Sequence, residues 1–458
     1  MPLLKSLACS LVILAVSAVA AAQSTAPAAP PPPARTVNIK DFGAVADGKT
    51  MNTAAIQKAI DSLAQQGGGT LLIPAESATI PATSTAPATG PAFLSGALFL
   101  KPGVNLHLDK GAILKGSTDT KDYPLTRTRI EGHFQDWLPA LVNAVEINNL
   151  KIDGEGTLDG SGTPFYAAFR AARGAKNLDV PRPRLIFIQK SNNVTVAGIH
   201  LLNSGFWNLH LYNCQKVTVD GLDIRAASGS PSTDGIDVDS CQWVTIKNTY
   251  ISNNDDCIAL KGSKGVTADQ DKDSPPDEHI RVSNCTFAMG GSVVTCGSEA
   301  TFVRDVVVEN CTVAGPNTRG INVLRLKLRT DTPQVYEDIH YNNITLDGLG
   351  TLINVSPWTQ YETIPPGTAR PTHTVRNISL ANIHGTFGTF GTIRPNAGDT
   401  IEKLTLENID LKFTANATPG LQSVKDLTIK NVKINGADYV PPAAVTQPAS
   451  ATIPATGN

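Results

Sequence analysis

Four aspartates crowd one stretch of the chain: Asp234 and Asp237, then Asp255 and Asp256, with Asp255 following Asp234 by 21 residues. Their flanks read as β-strands. Carboxylates at this density suit hydrolysis of a glycosidic bond, in which one must be protonated to release the leaving oxygen and another ionised to activate water. Close like charges push two carboxyl pKa values apart and so leave a proton on one of them at neutral pH. Turn capping is the competing role for aspartates between strands, and Asp237 and Asp239 are expected to do only that.

The elements that must position these residues form a repeat. Asn193-Val194-Thr195-Val196 recurs as four-residue runs starting at Lys216, Trp243, His279, Asp305, Asp338, Asn377, Lys403 and Asp426. The second residues of these runs lie 23, 27, 36, 26, 33, 39, 26 and 23 positions apart. Four residues after each second residue stands Gly198, Gly221, Asn248, Asn284, Asn310, Asn343, Asn382, Asn408 or Asn431. Gly and Asn tolerate left-handed backbone angles, so every unit should bend sharply at one corner. The β-branched alternation excludes helical repeats, and a propeller needs longer units of four strands. An all-β right-handed parallel β-helix remains, a solenoid whose coils bury their inner faces only by stacking. The 21-residue gap is then about one turn, which places Asp234 one coil before Asp255 and Asp256.

Ahead of the repeat, residues 36–45 suggest a first strand. Asn52 is placed to cap a helix carrying Ala55, Ile56, Ala59, Ile60 and Leu63 at helical spacing. Gly67, Gly68 and Gly69 end it and Thr70–Ile73 resumes as a strand; no Gly-Lys-Ser/Thr follows, so the triplet is not a phosphate loop. This helix is expected to cap the solenoid. Residues 1–22 have the layout of a secretory signal peptide, one early Lys5 before an apolar run and an Ala-rich end, too short to span a bilayer. Residues 23–35 form a Pro/Ala-rich linker, 36–440 the solenoid and 441–458 a loose tail. The protein is therefore expected to be exported, periplasmic or secreted.

The 458-residue chain has a formal net charge of −2. No dominant charge supports binding to nucleic acid or to a membrane surface, so any recognition of a charged partner must be local. Six cysteines follow the leader: Cys214, Cys241, Cys257, Cys285, Cys296 and Cys311. Cys214 with Cys241, and Cys285 with Cys311, should stack on adjacent coils, as disulfides or as buried thiols. Arg325 and Lys327 alternate on one strand and so share a face, a cationic patch that Arg329 could extend. Trp207, Trp358 and Tyr361 are candidates for stacking on sugars. The Asp-rich insert between Lys261 and Glu278 carries Asp269, Asp271 and Asp273. It lacks the Gly and Glu of a calcium loop, so it is expected to wall a cleft instead.

Residues 37–44, Thr233-Asp234-Gly235, Asp255-Asp256-Cys257 and Arg325-Leu326-Lys327, in that order, resemble glycoside hydrolase family 28, the polygalacturonases and rhamnogalacturonan hydrolases that degrade pectin. The resemblance implies a parallel β-helix that hydrolyses α-1,4-linked galacturonate with inversion, without cofactor or metal, on a pectic polysaccharide or oligogalacturonide. It implies Asp255 as general acid and Asp234 with Asp256 as the pair that activates water. Arg325 and Lys327 would hold a uronate carboxylate. Where polygalacturonases usually carry a histidine, this chain has Ser292, which is assigned with Arg325 and Lys327 to substrate binding. Rhamnogalacturonan hydrolases also lack that histidine, which keeps their substrate as the alternative. A pectate lyase or a non-catalytic carbohydrate-binding solenoid are the remaining readings. The protein is expected to be monomeric; His279, on a strand marker, is expected to be structural.

Overall fold

The computed structural model describes residues 35–76 and 90–441. The expected leader, most of the linker, the Ala/Thr/Pro-rich stretch at 77–89 and the tail from 442 lie outside the described residues. What is described is a right-handed parallel β-helix, as expected. One sheet holds ten parallel strands in unbroken coil order, from Leu98–Phe99 to Thr389–Ile393. The repeat markers form ladders in the other, larger sheet: Val194 pairs with Val217, Val217 with Val244, and Val244 with Ile280.

The left-handed corner falls where the Gly/Asn series places it: Asn248, Asn284, Asn310, Asn343, Asn382, Asn408 and Asn431 all have φ between 49° and 55°. Asparagine adds what glycine cannot, a side chain that bonds the next coil. Asn431 Nδ2 donates to Asn408 Oδ1 at 3.0 Å, and Asn408 Nδ2 to Asn382 Oδ1 at 3.2 Å. A second left-handed row stands beside the Gly/Asn corner. It runs through the first residue of every marker, including Lys216, Trp243, His279 and Lys403, with φ of 52° to 59°. Asn193, Asp305, Asp338, Asn377 and Asp426 in this row tolerate the angle, whereas Lys216, Trp243 and Lys403 have no such preference, and there the stacked coils impose it against a cost of roughly 1–2 kcal/mol per residue.

Helix α1, Thr53–Gln65, forms as expected and buries Ile56, Ala59, Ile60 and Leu63. It packs on the first strands, Thr36–Asn38 and Gly69–Ile73. The first strand is shorter than expected, giving way to a 3₁₀ turn at Ile39–Phe42. Asn52 sits at the N-cap position but makes no capping bond. Its side chain instead clasps the preceding loop, accepting from Val45 N at 2.7 Å and donating to Val45 O at 3.0 Å. All six cysteines are free and buried, with Cys214 N donating to Cys241 Sγ at 3.2 Å, so the stacked pairs are thiols.

Candidate functional site

The ten-stranded sheet sets the site by register. Leu211, Val238, Leu260, Cys296, Leu326 and Val355 occupy one inward row, each opposite the next. Burying such a side chain contributes about 1.5–3 kcal/mol, which holds the register. The neighbouring outward row runs His210, Asp237, Ala259, Thr295, Arg325 and Asn354. Period-two alternation thus puts Arg325 and Lys327 on the outer face, and Lys261 with them. Ala259, a single methyl group between Asp237 and Thr295, leaves room above the sheet.

Just ahead of these strands the coils bring three aspartates together. One carboxylate oxygen each from Asp234, Asp255 and Asp256 lies within 4.8 Å of the others. Gly235 N donates to Asp256 O at 2.9 Å, which locks Asp234 against the following coil.

The three carboxyls have different surroundings. Asp256 is fully buried, and both its oxygens are engaged. Oδ1 accepts from Thr295 Oγ1 at 2.8 Å, Arg325 Nη1 at 2.9 Å and Ser292 Oγ at 3.2 Å, and Oδ2 accepts from Lys327 Nζ at 2.7 Å. Burial alone would raise its pKa, but Lys327 and Arg325 outweigh burial and hold it well below the usual carboxylate range. Asp255 is partly exposed, and burial together with the neighbouring Asp256 charge raises it. Asp234 is raised as well, by burial and then by Asp255 and Asp237, and its Oδ1 has no hydrogen-bond partner. Lys261 Nζ lies 3.5 Å from Asp234 Oδ2 and 3.4 Å from Asp237 Oδ1. Asp237 is pushed up to about 7 by burial, against the pull of Lys261. It is thus part of the charge cluster and caps no turn with its side chain.

A pocket of about 280 Å³ opens over Asp234 and Asp255. Its walls are excursions that stand outside the repeat. The antiparallel hairpin Thr126–Ile130 and His133–Trp137 supplies Glu131 at its turn. The loop after a second helix, α2, Thr163–Ala171, supplies Asn177, and the loop after Thr351–Trp358 supplies Tyr361. Pro164 in the first turn of α2 is a helix-start signal that could have revealed it. Lys176 Nζ stands 5.6 Å from the Tyr361 ring, joining two of these loops. Trp207 and Trp358 line the pocket, with Lys261 Nζ 4.5 Å from the first ring and Lys327 Nζ 4.7 Å from the second.

Several expectations change. The Asp-rich insert contributes only its edge, Lys261, to this pocket. Its Asp271 lies 3.7 Å from Arg129 and its Asp273 3.3 Å from Lys190, so the insert packs behind the cleft. Ser292 is fully buried beneath Asp256 and does not line the pocket. Arg329 does not extend a free cationic patch: it pairs with Asp331 and donates to Gln360 O and Tyr361 O, both at 3.1 Å, anchoring the wall loop. Glu299, assigned no role from sequence, is held at about 2 because Lys261, Lys264 and Arg329 overcome its burial. The three aspartates are close enough to share a cation, but Lys327 and Arg325 already occupy Asp256.

The family described as glycosyl hydrolases family 28 matches residues 91–437, and one described as rhamnogalacturonase A/epimerase, pectate lyase-like, matches residues 36–91. A probable polygalacturonase of Vitis vinifera is 30% identical over 331 residues, covering 68% of this chain and 61% of its own length. An endo-polygalacturonase of Pectobacterium carotovorum subsp. carotovorum is 28% identical over 327 residues, covering 69% of this chain and 74% of its own. Among solved structures, an exopolygalacturonase from Thermotoga maritima superposes with a TM-score of 0.69 at 23% identity, covering 90% of this chain and 94% of its own. That likeness is one of fold.

Proposed function

Because the chain belongs to glycosyl hydrolases family 28, we propose that it hydrolyses α-1,4-linked galacturonate chains of pectin with inversion at the anomeric carbon. Asp255, the most accessible of the three aspartates and one whose pKa is raised, donates its proton to the leaving glycosidic oxygen. Water attacks the anomeric carbon and passes a proton to Asp234, which acts in its ionised form beside Lys261 Nζ at 3.5 Å, with ionised Asp256 holding the charge balance. The observation that carries this reading is the opposite shift of adjacent carboxyls, Asp255 up and Asp256 down. Arg325 and Lys327 serve two ends: they keep Asp256 ionised and border the pocket where a uronate would sit. Residues 1–22 would export the enzyme to an extracellular or periplasmic polysaccharide, where it acts as a monomer. Among the described residues no helix is long and apolar enough to cross a membrane.

The 4.8 Å cluster is tighter than the roughly 6.5–9.5 Å usual between the carboxyls of inverting glycosidases. Retention would need a carboxylate free to attack carbon. Asp256 is unsuited to that, since its oxygens accept four hydrogen bonds. Proton NMR of the first-formed anomer tests the point: the inverted anomer supports the proposal and the retained one overturns it.

Ser292, in the place of the usual histidine, favours rhamnogalacturonan as the second reading. Digesting polygalacturonate and rhamnogalacturonan side by side, with and without chelator, separates the possibilities. The proposal expects new reducing ends from polygalacturonate and no ultraviolet-absorbing unsaturated product. An unsaturated, chelator-sensitive product would instead mark a lyase.

A further inference from the structure

The groove does not end at the pocket over Asp234. Asn254, Asp255 and Arg325 border that pocket and also a second hollow of about 480 Å³, whose lining includes Gly290, Gly291, Gly320 and Arg319. Asp255 therefore stands between two spaces, as a general acid must when its substrate extends on both sides of the scissile bond. The glycines keep the second space open. A Cβ on Gly291 would lie 2.8 Å from Arg325 Nη1 and 2.9 Å from Asp256 Oδ1, and one on Gly320 would lie 2.8 Å from Gly290 O. No side chain fits at either position without displacing a neighbour.

The two spaces differ in charge. Around the first pocket, Lys261, Arg325, Lys327 and Arg329 each have a carboxylate within 4.0 Å. In the second hollow the added cation is Arg319, an exposed side chain that makes no ion pair among the described residues. Its planar guanidinium is suited to bidentate capture of a carboxylate.

We propose that Arg319 is a substrate-binding residue: it receives the carboxylate of the uronate unit that lies across Asp255 from the walled pocket. This rests on the galacturonate reading above. Each hydrolysed chain then places one sugar against the Glu131, Asn177 and Tyr361 wall while the adjoining unit is held at Arg319.

The test compares wild type, Arg319→Ala and Arg319→Lys on polygalacturonate and on pectins of rising methyl-ester content, with thermal melts of all three. Arg319→Ala is expected to raise KM roughly 10- to 100-fold, the range for losing a charged hydrogen bond, while kcat stays within about twofold and the melt is unmoved. Arg319→Lys should fall between, and the gap between variant and wild type should narrow as esterification removes the charge. A KM for Arg319→Ala equal to wild type, or a gap indifferent to esterification, overturns the role of Arg319 alone. A wild type that leaves polygalacturonate uncut overturns the galacturonate reading and this inference together.

Discussion

Lys327 Nζ donates a 2.7 Å hydrogen bond to Asp256 Oδ2 from two coils further along the solenoid, with the two side chains 9% and 1% exposed. A cation so enclosed balances the carboxylate that cannot be allowed to protonate. Removing Lys327 leaves buried Asp256 Oδ2 without a donor and Arg325 as the sole cation on the carboxylate, whereas replacing both Lys327 and Asp256 leaves no uncompensated carboxylate.

Lys327→Met should therefore destabilise the fold by about 3 kcal/mol and nearly abolish turnover, as judged by urea unfolding and by reducing-end release. The double variant Asp256→Asn with Lys327→Met should regain most of the stability and none of the activity. A single variant costing under about 1 kcal/mol would mean the pair is as weak as a surface one.

Asp237 makes stability depend on pH. Its folded pKa of about 7 exceeds the ordinary 3.8, so between those values the folded state binds more protons than the unfolded chain. Stability is then full below 3.8 and declines as pH rises to about 7. Asp237→Asn cannot ionise, and Lys261 keeps Asp234 as a partner. Between pH 4 and pH 8 the variant should lose less stability than wild type, by roughly 2–4 kcal/mol. Parallel curves in urea titrations at the two pH values would contradict this.

Trp358 is half-buried at the pocket, with Arg325 and Lys327 near its ring. Trp358→Ala should raise KM about 2- to 10-fold through loss of a stacking surface, with a smaller change in kcat. Steady-state kinetics on polygalacturonate decide it; an unchanged KM would leave the indole as packing only.

The six buried thiols predict that protein unfolded without reductant titrates as six free sulfhydryls over residues 35–441, and that reductant leaves the melting temperature where it was. Two or four missing thiols would reveal disulfides between the stacked pairs.

The solenoid and its aspartate cluster were legible because they follow rules that recur with every coil. Apolar alternation marks the strands, and Asn248 or Asn408 marks a corner where few residue types are tolerated. The second corner was hidden because its residue types are mixed: Asn193 or Asp305 tolerates the angle, but at Lys216 or Trp243 the stack alone sets it. The walls were hidden for another reason: the hairpin around Glu131 and helix α2 each occur once, so periodicity cannot find them. Strand spacing told which face Arg325 and Lys327 occupy, but not that their nearest partner would be Asp256, which stands in another coil. Starting beside the catalytic coil did not suffice to make the Asp-rich insert a wall, since Arg129 and Lys190, distant in sequence, draw it behind the cleft.

The most direct test of the account is the turnover of polygalacturonate by Asp255→Asn, with circular dichroism and a thermal melt showing the solenoid intact. Loss of a general acid should lower kcat by about 10²- to 10⁴-fold while the melt stays at the wild-type value. A folded Asp255→Asn enzyme that releases reducing ends at the wild-type rate would contradict the assignment of the acid and the mechanism built on it.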